Sequence, residues 1–115
     1  MGRLSSKLNQ DKPDLESARI FAKELSKKIR AETNPVRIVL FGSAATGEFG
    51  HTSDLDILIV VESEKDLAMF REKIHNLKVG ADYPIDYLFV TQQRFDEQKD
   101  VGGVCFVANK EGIVI

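Results

Sequence analysis

The first rhythm in the chain is helical. Leu15, Ala18, Ala22, Leu25 and Ile29 recur at offsets of three and four, which predicts an amphipathic helix from Asp14 to Arg30. Pro13 stands where a first-turn proline is tolerated, and Asp14 and Glu16 complement the positive end of the helix dipole. Asn34-Pro35 closes the helix, because proline drives the residue before it out of helical space. The run from Val36 to Phe41 (VRIVLF) is β-branched and bulky, and predicts a buried strand. A glycine-punctuated connector, GSAATGEFGHTSD, leads to a second apolar strand, Leu55 to Val61 (LDILIVV). Ser63 and Asp66 resemble a capping box, with an acid shorter than the preferred glutamate. A helix follows with Leu67, Phe70, Ile74 and Leu77 inward, ending near Gly80. Ile85 to Val90 (IDYLFV) predicts a third strand, and Thr91 an N-cap for a short charged helix to about Asp100. Gly102-Gly103 breaks the chain, Val104 to Lys110 adds a helical turn or two, and Gly112 precedes a last apolar IVI.

The order α-β-loop-β-α-β-α predicts an α/β (α+β) fold, with helices packed on a small sheet. Thirteen residues between the first two strands are marginal for a parallel crossover, so a mixed sheet is expected. Residues 1–12 are polar and aperiodic and read as a flexible arm; residues 13–115 read as a single domain.

Composition bounds what such a domain does. With 115 residues, 43% of them hydrophobic and 30% charged, the chain has enough apolar surface for a real core. That size leaves no room to hold two large substrates, so a reaction of that kind needs a partner. Sixteen basic against 18 acidic residues give a formal charge of −2, which argues against direct nucleic-acid binding over a broad basic face. One cysteine, Cys105, forms no internal disulfide and fits a reducing cytoplasm. No apolar run approaches the roughly 20 residues that span a bilayer, and MGRLSSKLNQDK has no apolar core of a signal peptide.

Three features carry candidate chemistry. Gly42-Ser43 directly follows the first strand; glycine there permits a sharp turn and close approach of a ligand, and a short helix opened by Ser43 would offer unpaired N–H groups to a phosphate. The plainer reading is a strand-ending turn. Asp54 and Asp56 stand at i and i+2, so both carboxylates project from one side of the second strand. Side by side they are unfavourable unless a cation lies between them, and hard oxygen ligands suit Mg²⁺ or Mn²⁺. The plainer reading has Asp54 capping a turn and Asp56 facing solvent. Asp86 is an acid inside an apolar strand; it either faces solvent or, if strands two and three are neighbours, lies beside Asp56.

Gly42-Ser43, ten residues from Ala44 to Ser53, Asp54-Leu55-Asp56, and then Asp86 on a later strand together resemble the signature of the minimal nucleotidyltransferases of the DNA polymerase β-like superfamily. The LF-GS junction, the SDLDILIV run and the KEGIVI tail are similar too, so the resemblance spans Val36 to Ile115. It implies a polymerase β-like fold and a metal-dependent transfer of a nucleoside monophosphate, AMP from ATP by the family's habit. Asp54, Asp56 and Asp86 would be catalytic and hold the metal, Mg²⁺ or Mn²⁺; Gly42 and Ser43 would bind the nucleotide. Small stand-alone relatives resemble antitoxins of helical HEPN partner proteins, sometimes by adenylylating them. Where many relatives carry loop arginines (GSRARG), this chain has Ala44, Ala45 and Thr46, which motivates a rival reading: a non-catalytic module that neutralises a HEPN-type partner by occlusion. Transfer to a small molecule is a third reading, weakened by the want of an acceptor domain. Homo-oligomerisation is left open.

Other residues read as plain. The spacing of Gly42 and Gly47 imitates a P-loop, but Glu48-Phe49 stands where lysine and a hydroxyl are needed. His51 reads as a solvated loop residue, and His75 has no zinc-type companion at i+4. Cys105 reads as a buried structural thiol, and Phe70, Phe89 and Phe106 as core.

Overall fold

The computed structural model describes residues 15–50, 54–80 and 83–115. The expected arm at 1–12, the cap residues Pro13 and Asp14, and His51 lie outside them. Helix α1 spans Leu15–Glu32 and buries Ala18, Ala22, Leu25, Ser26 and Ile29, the stripe expected from the spacing plus one serine. Strand β1 (Arg37–Phe41) runs into a single turn, α2 (Ser43–Thr46). Strand β2 (Leu55–Val61) is followed by α3 (Glu64–His75) and strand β3 (Ile85–Thr91). The chain ends in α4 (Gln92–Gln98), α5 (Gly103–Glu111) and a two-residue strand, β4 (Ile113–Val114).

These strands form one sheet in the order β3-β2-β1-β4. β1 pairs antiparallel with β2 and β4, while β2 and β3 run parallel, so the sheet is mixed. The parallel pair is the one joined through a full helix, α3, as crossover length requires. Strand alternation divides the core between the two faces. On one face Ile38, Leu40, Leu55, Ile57, Ile59 and Val61 pack with α1 and with Phe70 and Ile74 of α3. On the other, Val39, Phe41, Leu58, Val60 and Val90 pack with Phe95 of α4 and with Cys105 and Ala108 of α5. Each such aliphatic or aromatic side chain contributes roughly 1.5–3 kcal/mol on burial.

Three local expectations are refined. α3 stops at His75, five residues short of Gly80, although Leu77 and Val79 still pack against the core. Ser63 and Asp66 do not close a capping box: Ser63 Oγ donates to Asp66 Oδ2 at 3.0 Å, and no side chain caps the first turn. An aspartate is one methylene too short to reach back to the Ser63 N–H, so it takes the hydroxyl instead. Phe106 is half-buried outside both core clusters, with Lys110 Nζ 5.7 Å above its ring.

Candidate active site

Strand register brings the sequence-predicted residues to one end of the sheet. In the antiparallel ladder Phe41, the last residue of β1, is opposite Asp56. In the parallel ladder Asp56 is opposite Asp86. Asp54 sits just ahead of β2 rather than inside it, and is exposed. The Leu55 N–H donates to Pro84 O at 2.9 Å and fixes the start of that pairing. Asp56 alternates with Leu58 and Val60, and Asp86 with Leu88 and Val90. Both acids therefore belong to the sheet face that α4 and α5 cover further along. Asp56 is half-buried and Asp86 exposed.

The glycine-serine turn is built against these acids. Gly42 has φ +72°, a conformation that L side chains rarely adopt. A Cβ at this position would run into Asp56 Oδ2 and lie 3.1 Å from Asp56 Cγ. The bare glycine thus lets the backbone rest on the Asp56 carboxylate. Beyond it, the Ala45 and Thr46 N–H groups return to Gly42 O at 3.0 and 3.1 Å, and the Gly47 N–H to Ser43 O at 2.9 Å. The N–H groups of Ser43 and Ala44, at the start of the turn, are not consumed by it. Ala44 is fully buried in the core on α1, which seats the turn.

Charge is concentrated at this end. The carboxyl of Asp56 is raised from its ordinary 3.8, first by burial, then by the Asp86 and Asp54 carboxylates. The ion pairs among the described residues, Lys27 with Glu24 and Lys99 with Asp96, lie elsewhere. Among the described residues no group of three acid, imidazole or thiol side chains is placed so that it could hold a metal ion by itself, Asp54, Asp56 and Asp86 included. The pair in register, Asp56 and Asp86, would leave a hard cation such as Mg²⁺ to draw the rest of its shell from water and phosphate oxygens. Asp86 also lines a groove of about 810 Å³ between α3 and β3, with Arg71, His75, Tyr87 and Phe89 along it. Burial raises the Tyr87 phenol.

Two residues behave as the sequence suggests and one was not foreseen. Cys105 is buried and its thiol is pushed up by burial, partly offset by Arg94, so it stays an inert thiol. His75 is exposed in the last turn of α3. Arg19 was not foreseen: from α1 its Nε donates to Ala44 O at 2.8 Å and its Nη2 to Ala45 O at 2.9 Å. No spacing rule links residues 25 and 26 apart. The available signal was a charged residue directly beside the buried Ala18 of an apolar stripe.

Comparison with known proteins places the chain among relatives. A Methanocaldococcus jannaschii protein named "Putative protein adenylyltransferase MJ0141" is 32% identical over 73 residues, 64% of this chain and 69% of the relative. A crystal structure titled as a "putative nucleotidyltransferase" from Sulfolobus solfataricus superposes with a TM-score of 0.54 at 24% identity. It covers 82% of this chain and 75% of its own, a likeness of fold and consistent with a polymerase β-like architecture. The family model of the nucleotidyltransferase domain matches residues 19–113, from the arginine that grips the turn to the last strand, and the chain belongs to that family.

Proposed function

We propose that this chain transfers the adenylyl group of ATP to a hydroxyl on a partner protein. The carrying observation is the contact of Gly42 with the Asp56 carboxylate, with Asp86 in register beside it. A phosphate-sized ligand resting on the Gly42-Ser43 turn would then lie next to an uncompensated acid pair. Asp54, Asp56 and Asp86 are the residues that would hold divalent metal, Mg²⁺ or Mn²⁺. Bound there, the metal supplies charge neutralisation for the attacking and leaving oxygens of an in-line displacement.

The chain's own groups have separate tasks. Ser43 and Ala44 N–H groups, with the Ser43 hydroxyl, bind phosphate oxygens and orient the triphosphate. Asp86, exposed on the edge strand, takes the proton of the acceptor hydroxyl. The bond formed joins the acceptor oxygen to the α-phosphorus; the bond broken releases pyrophosphate.

The name of the archaeal relative supports a protein acceptor. So does the family resemblance to antitoxins of HEPN-type helical proteins, which we take as the partner class. Intact-mass measurement of such a partner, with and without this protein, ATP and Mg²⁺, tests the reading. A gain of whole adenylyl units that Asp54→Asn/Asp56→Asn abolishes is expected. Equal gains from both proteins, or none from wild type, would sink it. One observation favours a second reading: the turn carries Ala44, Ala45 and Thr46 and no cation of its own. On that reading the fold neutralises the partner by occlusion, and complex formation survives loss of both acids without nucleotide.

A further inference from the structure

The turn that would meet the triphosphate has little stability of its own. α2 is four residues long, far below the length at which an isolated helix persists. Its carbonyls can be accounted for one by one. Gly42 O and Ser43 O accept from the N–H groups of Ala45, Thr46 and Gly47. Ala44 O and Ala45 O are the next two, and a helix end offers them no partner within the turn. Both are taken by one side chain, Arg19, through Nε and Nη2.

Arginine suits this task for three reasons. Its planar fork holds two donors in fixed relation, it stays charged, and it loses little freedom per bond made. Its charge also stands at the carbonyl end of the turn, where a cation is favoured. Finally, its own backbone is anchored, because Ala18 and Ala22 of α1 are fully buried in the core. The clamp thus ties the turn to the longest helix among the described residues.

We propose that Arg19 is a positioning residue for the nucleotide. It acts through α2: by fixing Ala44 and Ala45 it fixes the N–H groups at the start of the turn, and keeps Gly42 against the Asp56 carboxylate. The inference rests on the nucleotidyl-transfer reading above for its ligand. It predicts that Arg19 governs binding of the triphosphate rather than the chemical step, since the guanidinium is engaged with the back of the turn and not with the acids.

Steady-state kinetics of Arg19→Ala and Arg19→Lys, paired with amide hydrogen exchange of both free proteins, test it. Arg19→Ala should raise the KM for ATP roughly ten-fold, the loss expected for charge-assisted hydrogen bonds. kcat and the KM for the acceptor should change less than about three-fold, because Asp56 and Asp86 are held by strand pairing and not by the turn. Arg19→Lys, with one ammonium for two carbonyls, should fall between. Exchange at Ala45, Thr46 and Gly47 should quicken in Arg19→Ala while exchange in β2 stays as in wild type. An unchanged KM for ATP, a fall in kcat at constant KM, or unchanged exchange in the turn would each overturn the proposal. Failure of wild type to transfer any nucleotide would instead overturn the functional reading; the clamp is then judged on exchange alone, and unchanged rates refute it.

Discussion

Gly42 concentrates two demands at one Cα. Its φ of +72° with ψ of −151° and the place a Cβ would take against Asp56 Oδ2 penalise every other residue, the first by about 1–3 kcal/mol. Gly42→Ala should therefore fold, melt a few degrees lower, and lose on the order of 100-fold in kcat/KM, since a displacement of about 1 Å at a reacting group has that effect. Wild-type kcat/KM in a folded Gly42→Ala would contradict the contact. Asp56 makes a second prediction, with a definite sign. Its carboxyl is raised in the folded protein by burial and by Asp86 and Asp54. The folded state thus holds the proton more tightly than the unfolded chain. The corresponding stability is present below the ordinary 3.8 and is lost as pH rises through the raised folded value. In chelator-treated protein, Asp56→Asn should be more stable than wild type at pH 7. That advantage should shrink in thermal melts as pH is lowered through the carboxylate range. An advantage that grows on acidification would refute it.

Among elements, α4 and α5 hold the second face of the sheet, and each depends on one small device. Thr91 Oγ1 accepts the Arg94 N–H at 3.2 Å and caps α4, so Thr91→Ala should cost about 0.5–2 kcal/mol in urea unfolding. At the end of α5, a Cβ on Gly112 would run into Ala108 O and Val39 Cγ1, so Gly112→Ala should destabilise by about 1–3 kcal/mol. These elements also show what the residue pattern could and could not reveal. β2 was legible to the residue, because seven apolar or alternating positions between loop residues admit little else. Thr91 was legible as a cap because its chemistry is local. The end of α3 was not: Leu77 keeps the helical apolar spacing, and only the tertiary contact shows that it packs from beyond the helix. Each acid was legible as a candidate, but whether Asp86 meets Asp56 depended on strand order, which a linear pattern does not encode. Arg19 was illegible for the same reason, since its partners are carbonyls, which no residue type advertises.

At the scale of the molecule, the candidate site joins one long-range pairing to one local turn, so a ligand bound there would couple binding to folding. A ligand held at the carboxylates stabilises the whole fold by mass action, about 2.7 kcal/mol at a hundred times its Kd. Mg²⁺ with ATP should raise the melting temperature of wild type by several degrees and leave Asp54→Asn/Asp56→Asn unmoved; equal shifts in both proteins would place the nucleotide elsewhere. No helix among the described residues is long and apolar enough to cross a membrane. One consequence of the strand order remains. β3 stands at an edge of the sheet, and its sequence, IDYLFVT, combines β-branched and aromatic residues in the manner of segments that recruit their own kind into fibrils. Asp86 is the sole charge in that strand, and a lone charge on an edge strand would oppose edge-to-edge association between copies. Asp86→Asn should scatter light at lower temperature and lower concentration than wild type, even without nucleotide or metal. The same carboxylate would then serve two selective pressures, solubility as well as chemistry.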